Sequence, residues 1–452
     1  MLSHIRPASR GGTSKFSPSS RDLSRRRFLG AAGAATTASV LAGCAQDADD
    51  GRPVVTVWGG FESMNADLIA HFNATQDVRI RWVDNGWNLG QYYQKFMTTM
   101  HAGTGAPDVF MTDLSLVPHF VVQDYVLDLG PYGAAEDAED YDPSVWTQLS
   151  EDEQVFAIPV DAGPLTFFHQ ADRLEEAGID VPTDWDSFAA AADRVRTADD
   201  DAYLAVAGPS SWFAALIAQA GGTFFSYDLT DPTSLGITVD TEPANRVMEF
   251  WGQLLDNDLV DSTPMFTTEM DARLIRGGYW GLVSASWYSW QIESKATSTA
   301  GAWRVAGIPQ WDSGTPRSGN WGGSGYAVSR TTEHPEAAAH VARTLFGGDP
   351  TAWDMALWTA RLFPTRLGPR DSAEFRERPA DFYGGQAVND VYVDSSRAAT
   401  IPDYSPFDRY FTDIFDQMIF QAMHGELGWS DVMAATRDRM VSYAREQAFD
   451  VY

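Results

Sequence analysis

Val54-Val55-Thr56-Val57-Trp58, closing on Gly59-Gly60, is a short β-branched run ended by a turn, and the fold is read outward from it. Met64 to Asn73 follows, with Leu68, Ile69 and Phe72 at helical spacing. Val78-Arg79-Ile80-Arg81-Trp82-Val83 alternates apolar and polar, which predicts a second strand. Tyr92, Phe96 and Met100 form one stripe of a second helix. Gly103-Thr104-Gly105-Ala106-Pro107 breaks that helix, and Asp108-Val109-Phe110-Met111 begins a third strand. Strand and helix in alternation predict an α/β domain with a largely parallel sheet.

Further along, helical patterns run from Asp172 to Ala177, Trp185 to Thr197, Trp212 to Ala220 and Pro335 to Phe346. Gly281-Leu282-Val283-Ser284 and Trp303-Arg304-Val305-Ala306 read as strands, and two long helices, Phe407 to His424 and Ser430 to Phe449, close the chain. No internal repeat interrupts this order.

Upstream of Val54 the sequence reads as address rather than fold. Ser24-Arg25-Arg26-Arg27-Phe28-Leu29 precedes a mild apolar run that ends in Leu41-Ala42-Gly43-Cys44. Paired arginines before such a segment form a twin-arginine export signal. The small residues before Cys44 match a bacterial lipobox. The run is shorter than the ~20 apolar residues a membrane span needs. The expectation is therefore a signal peptide over 1–43 and a lipidated Cys44. A polar tether over 44–52 completes the segment, with the protein held at the outer face of the cell membrane. Cys44 is the only cysteine, so the mature chain has no disulfide and no cysteine metal site.

About 400 residues remain after Cys44, more than one ordinary core holds, which predicts two domains. Past the signal segment stand 25 basic residues against 61 acidic, a net charge near −36. Such a surface repels phosphate backbones and argues against nucleic acid as a partner. The 16 Trp, 16 Tyr and 25 Phe are a stronger clue, because many of the tryptophans sit beside Gly, Ser or Asn. A ring in such a loop is costly to expose unless something stacks on it.

Several segments together resemble the sugar-binding branch of the extracellular solute-binding proteins of ABC importers, the family that includes maltose-binding protein. They are Val54-Val55-Thr56-Val57-Trp58, Gly103-Thr104-Gly105-Ala106-Pro107-Asp108-Val109, Phe156-Ala157-Ile158-Pro159-Val160-Asp161-Ala162-Gly163-Pro164-Leu165 and Ala177-Gly178-Ile179 with Pro182-Thr183-Asp184-Trp185. Gly278-Tyr279-Trp280-Gly281, Ala306-Gly307-Ile308-Pro309 and Gly322-Gly323-Ser324-Gly325-Tyr326-Ala327-Val328 follow in order. The resemblance implies a type II periplasmic-binding-protein fold: two α/β lobes joined by hinge strands, with the ligand in the cleft between them. Lobe 1 would comprise 53–158 plus 328–385, and lobe 2 would comprise 159–327 plus 386–452. Hinge crossings are expected near Ala157 to Asp161, near Tyr326 and around Tyr383 to Val388.

The resemblance further implies capture of a neutral mono- or oligosaccharide by a monomer, with delivery to an ABC permease, no chemistry on the ligand and no cofactor or metal. A sugar needs flat rings for its CH faces and polar forks for its hydroxyls. The expected ligand contacts are Phe61 and Glu62 after the first strand, Asn85 and Trp87 after the second, and Asp113 after the third. Glu62 reads equally well as a helix-start carboxylate facing water. Asp161 lies in the hinge segment, and Trp212 at a helix start. Trp287 and Tyr288 follow a strand, Trp321 and Gly323 belong to the Gly-rich crossing, and Tyr404 precedes the C-terminal helix. Thr112 stands where the maltose-binding pattern has tryptophan, so maltodextrin is not supported. Two other readings are a secreted glycoside hydrolase, which would need two carboxylates across a scissile bond, and a binding protein of this fold for a solute such as a polyamine.

Overall fold

The computed structural model describes residues 51–452 except 61, 87–88, 230–232 and 359–361, and omits the side chains of 62–64. The export signal and Cys44 lie outside the described residues. Among those described, no helix is long and apolar enough to cross a membrane.

The opening stretch folds as its periodicity predicts. Strand β1 (Val54–Gly59) leads to helix α1 (Glu62–Thr75), strand β2 (Arg79–Asp84), helix α2 (Leu89–Ala102) and strand β3 (Val109–Asp113). β1 pairs in parallel with both β2 and β3. Val55 and Val57 are wholly enclosed, and α2 buries Tyr92, Tyr93, Phe96 and Met100 against the sheet. Phe96 stacks on Phe110 of β3 at 3.8 Å.

Two long strands tie this half to the rest of the chain. β4 (Ile158–Gln170) and β7 (Ser318–Val328) run antiparallel to each other. The Tyr326 end of β7 pairs with β3, and its Ser318 end with the short strand β8 (Ala399–Thr400). The far end of β4 is flanked by β5 (Gly281–Ala285) and β6 (Trp303–Gly307), both antiparallel to it. The result is an eight-stranded mixed sheet whose two ends serve different lobes, with β4 and β7 common to both. This is the two-lobed α/β fold with hinge strands and an interlobe cleft.

A third segment joins the hinge strands ahead of the stretch expected at Tyr383 to Val388. The chain runs beside β4 at residues 363–365, where Ala162 N donates to Phe363 O and Thr365 N to Val160 O, and Asp161 pairs with Pro364. Asp381–Tyr383 is instead a single tight helical turn and Val388–Arg397 a helix, both outside any strand. Tyr383 is fully buried and meets Phe168 of β4 at 6.4 Å. Gly384 and Gly385 adopt positive φ and make a turn between these two helical pieces.

The second lobe's core gathers Trp185, Phe188, Trp212, Trp251 and the helix Ser210–Ala220, closed by two helices, Asp408–Met423 and Val432–Glu446. Helix Ser210–Ala220 lies directly on β7. A Cβ at Gly319 would fall 1.9 Å from Ala215 O, so only glycine allows that approach.

Candidate functional site

Ser324 sits in the middle of the hinge, and its neighbours define the site. On one side its register partner is Asp113, the last residue of β3, and on the other it is Asp161 of β4. The three side chains therefore stand abreast at the carboxyl end of β3, where a cleft of this architecture opens. One carboxylate oxygen of Asp161 accepts from Ser324 N at 2.8 Å and from the Ser324 hydroxyl. The backbone N of Asp113 donates to Tyr93 Oη at 2.8 Å, and the Tyr93 hydroxyl also bonds the Asp113 carboxyl.

A third carboxylate arrives from the other lobe. Asp408 opens the helix Asp408–Met423, and its carboxyl is bonded by the Ser115 hydroxyl, just beyond β3. His119 Nδ1 meets Pro406 O at 3.1 Å and fastens the same two segments. Burial pushes Asp113 up to about 7, with Asp161 adding to it and the Tyr93 bond opposing. Asp161 is raised by burial to about 6 against its Ser324 bonds. Asp408 is raised by burial to about 7, with Asp113 adding to it. Among the described residues no lysine or arginine forms an ion pair with any of the three. Near neutrality they are a mixture of carboxyl and carboxylate, able both to donate and to accept.

The aromatic part adjoins this group through four consecutive residues, Trp321-Gly322-Gly323-Ser324. β7 slips register between Asn320 and Gly323. The bulge is pinned by Asn320, whose Oδ1 accepts from Gly163 N at 2.8 Å and whose Nδ2 donates to Gly322 O at 2.6 Å. Gly322 and Gly323 take φ of 82° and 115°. A Cβ on Gly323 would lie 2.9 Å from Leu114 Cδ1 and 3.0 Å from Asp161 O, so the close approach and the backbone both require glycine. Trp287, just past β5, donates from Nε1 to Trp321 O at 2.8 Å, its ring 4.9 Å from that of Trp321. Trp321 Nε1 donates to Ser211 Oγ at 3.0 Å. Phe266 completes the group, 6.3 Å from Trp287 and inclined to it by 21°.

Between the lobes lies a cavity of about 250 Å³. Pro118, Thr147, Gln148 and Glu151 line one side of it, and Phe225, Ser226, Tyr227, Leu229, Asp403 and Tyr404 the other. Burial raises the Glu151 carboxyl, and Asp228 and Asp152 raise it further.

The residues expected from sequence are distributed unevenly over this geometry. Asp113, Asp161, Trp287, Trp321, Gly323 and Tyr404 fall within it. Tyr404 lines the cavity, its hydroxyl proton held first by burial and then by Asp408, Asp113 and Asp403. Asn85 is engaged locally, its Oδ1 accepting from Lys95 Nζ at 2.7 Å and its Nδ2 donating to Val83 O. Two of the expected residues lie in the protein's interior. Trp212 is fully enclosed, donates to Val283 O at 2.9 Å and meets Trp251 at 4.7 Å, so it serves the second lobe's core. Tyr288 is also buried, its hydroxyl directed at Met270 Sδ. In both cases the polar tip finds its partner inside the protein, which is what lets the ring stay buried. Phe61 and Trp87 lie outside the described residues, as does the Glu62 side chain. Sequence reasoning did not single out Ser324, Asp408, Phe266, Tyr93 or Glu151. Of these, Ser324 alone carried a signal, its place after two glycines in the crossing strand.

A family model described as bacterial extracellular solute-binding protein matches residues 59–347. Among curated relatives, an arabinooligosaccharide-binding protein of Halalkalibacterium halodurans is 23% identical over 384 residues, covering 77% of this chain and 80% of its own. A lactose-binding protein of Rhizobium radiobacter is 22% identical over 388 residues, covering 82% and 88%. Among solved structures, the galacto-N-biose-/lacto-N-biose I-binding protein of Bifidobacterium longum, in complex with lacto-N-biose, superposes with a TM-score of 0.77 at 20% identity. That likeness covers 89% of this chain and 100% of the other.

Proposed function

Because the chain belongs to the bacterial extracellular solute-binding proteins, we propose that it captures a neutral mono- or oligosaccharide between its lobes and hands it intact to an ABC permease. The observation that carries this reading is the junction at Trp321-Gly322-Gly323-Ser324. There an aromatic group (Trp287, backed by the buried Trp321) and a polar group (Asp113 and Asp161, with Asp408 nearby) meet around a single strand. Rings suit the CH faces of a pyranose, and paired carboxyl oxygens suit vicinal hydroxyls. The ligands named for the curated relatives support the same class.

Because Asp113 comes from one lobe and Asp408 from the other, a ligand bonded to both stabilises the closed state, which is the form a permease would recognise. Lobe 1 is proposed as 53–158 plus the segment from 328 to the passage at 363–365, and lobe 2 as the remainder. At the amino terminus, the twin-arginine motif and the lipobox support export of the folded chain and a lipid on Cys44.

The experiment is a calorimetric and thermal-shift panel of pentoses, hexoses and their di- and trisaccharides, with chromogenic glycosides in parallel. Saturable one-to-one binding without sugar release supports the reading. Release of the chromophore would replace it with a glycosidase.

A second reading, a cationic solute such as a polyamine, is favoured by the absence, among the described residues, of an ion pair from any lysine or arginine to the three carboxyls. The same burial that raises them lowers their charge near neutrality, which weakens it. Spermidine in the panel separates the two.

A further inference from the structure

Phe266 is out of place for a structural residue. It is 54% exposed, and among the described aromatic residues only Phe420 and the C-terminal Tyr452 are more so. Phe420 lies within a surface helix against His424, with ordinary helical backbone. Phe266 has a φ of +65°, a conformation that bulky side chains rarely hold. It directly precedes Thr267, which caps the helix Thr268–Ile275 by accepting from Met270 N at 3.3 Å. An apolar residue there ordinarily staples onto the fifth position after the one it occupies, but that position is Asp271. The staple is therefore unavailable, and helix capping does not explain the ring.

What the ring does meet is the cleft's aromatic group: Trp287 at 6.3 Å, Trp321 at 6.1 Å and Tyr288 at 6.2 Å. Trp321 is 5% exposed and Tyr288 1%, and Trp287 is part-buried, so Phe266 is the most open ring of the four. Thr267 Oγ1 holds the turn around Phe266 by donating to Pro264 O at 2.8 Å. Strain and apolar exposure at one residue, beside a ligand cleft, are accounted for together if a ligand face covers the ring.

We propose that Phe266 is a specificity-determining residue: the outer ring of a stacking surface that begins at Trp287 and selects oligosaccharides over single sugars. This rests on the sugar-binding reading above. Trp287, next to the hinge, would take the first sugar unit and Phe266 the next.

The test compares wild type, Phe266→Gly and Phe266→Tyr against matched mono-, di- and trisaccharides by calorimetry, with melting temperatures of the free proteins. Glycine removes the ring and relieves the positive φ, and tyrosine keeps the ring. Phe266→Gly should melt no lower than wild type yet bind di- and trisaccharides about five-fold or more weakly, with monosaccharide affinity within about two-fold. Phe266→Tyr should retain oligosaccharide affinity. Unchanged oligosaccharide affinity in Phe266→Gly would overturn the proposal while leaving sugar binding intact. An equal loss for all sugars, or a lower melting temperature without a change in affinity, would overturn it too. A wild type that bound no sugar would overturn both this and the reading it rests on.

Discussion

Replacing Asp408 by asparagine tests whether its carboxyl is held protonated in the cleft as described. Asp408 is raised from the ordinary 3.8 to about 7, chiefly by burial and then by the charge of Asp113, and it bonds Ser115 and acts on Tyr404. A raised carboxyl means the folded protein holds a proton that the unfolded chain releases between about pH 4 and 7. The stability it contributes is fully present below the ordinary value and is lost as pH rises through about 7. Each unit of pKa difference is worth ~1.4 kcal/mol. The residue is only part-enclosed and water screens it, so ~1–2 kcal/mol is the realistic size. At ~2 cal/mol/K per residue, a chain of this length would show that as a change of ~1–2 °C in Tm. The substituted amide keeps an acceptor for the Ser115 hydroxyl but carries no charge. Scanning calorimetry at unit steps from about pH 4 to pH 8 should show Asp408→Asn equal to wild type at the acid end and more stable by ~1–2 °C at the alkaline end. Asp184, Asp349 and Asp371 have lowered values, so their contribution is present above the ordinary value and lost as pH falls below it. Both proteins share that loss, and it cancels in the comparison. A difference between variant and wild type that is the same at both ends of the range would refute a raised, proton-holding carboxyl at this position.

Three further outcomes are expected. Trp287→Ala should weaken sugar binding by ~1 kcal/mol or more and reduce the ligand-induced fluorescence change, measured by titration, with little loss of fold because the ring is only part-buried. Gly323→Ala places a methyl against Leu114 and the Asp161 carbonyl at a φ of 115°, so it should lower Tm and binding together, whereas Gly314→Ala, where a Cβ meets nothing, should leave both unchanged. Arg370 is buried with Asp142, which also caps the helix Pro143–Trp146 by accepting from Ser144 N at 3.0 Å. Arg370→Met strands that charge and should cost ~3–5 kcal/mol in denaturant unfolding, with much of the loss recovered when Asp142→Asn is added.

The elements whose own periodicity decides them were legible from sequence. The β1 to β3 region and α2 fold as their apolar spacing dictates. Helices predicted at Trp185 to Thr197 and Pro335 to Phe346 form as Trp185–Ala198 and Pro335–Thr344. The hinge was harder to read. β4 is buried on both faces for most of its length and contains Pro159, Gly163 and Pro164, so neither alternation nor strand composition marks its full 13 residues. Within the site, Asp113 was expected because it follows the third strand and Asp161 because it lies in the hinge segment, and the structure sets the two on either side of Ser324. Trp212 misled because a tryptophan after Gly-Pro-Ser-Ser reads the same whether its N–H meets a ligand or the carbonyl of Val283. Asp408 resembles any acid in a first helical turn, and only the approach of residues 401–408 to Ser115 gives it a role. Phe266 left no mark in the sequence, since its signal is a backbone angle.

Calorimetric titration of the purified protein with a panel of mono-, di- and trisaccharides, repeated with Trp287→Ala and Asp161→Asn, bears most directly on the function of the interlobe cleft. Saturable one-to-one binding of at least one saccharide, weakened by either substitution, is the predicted result. A well-folded protein that binds none of them, or binds one with both variants unaffected, would contradict it.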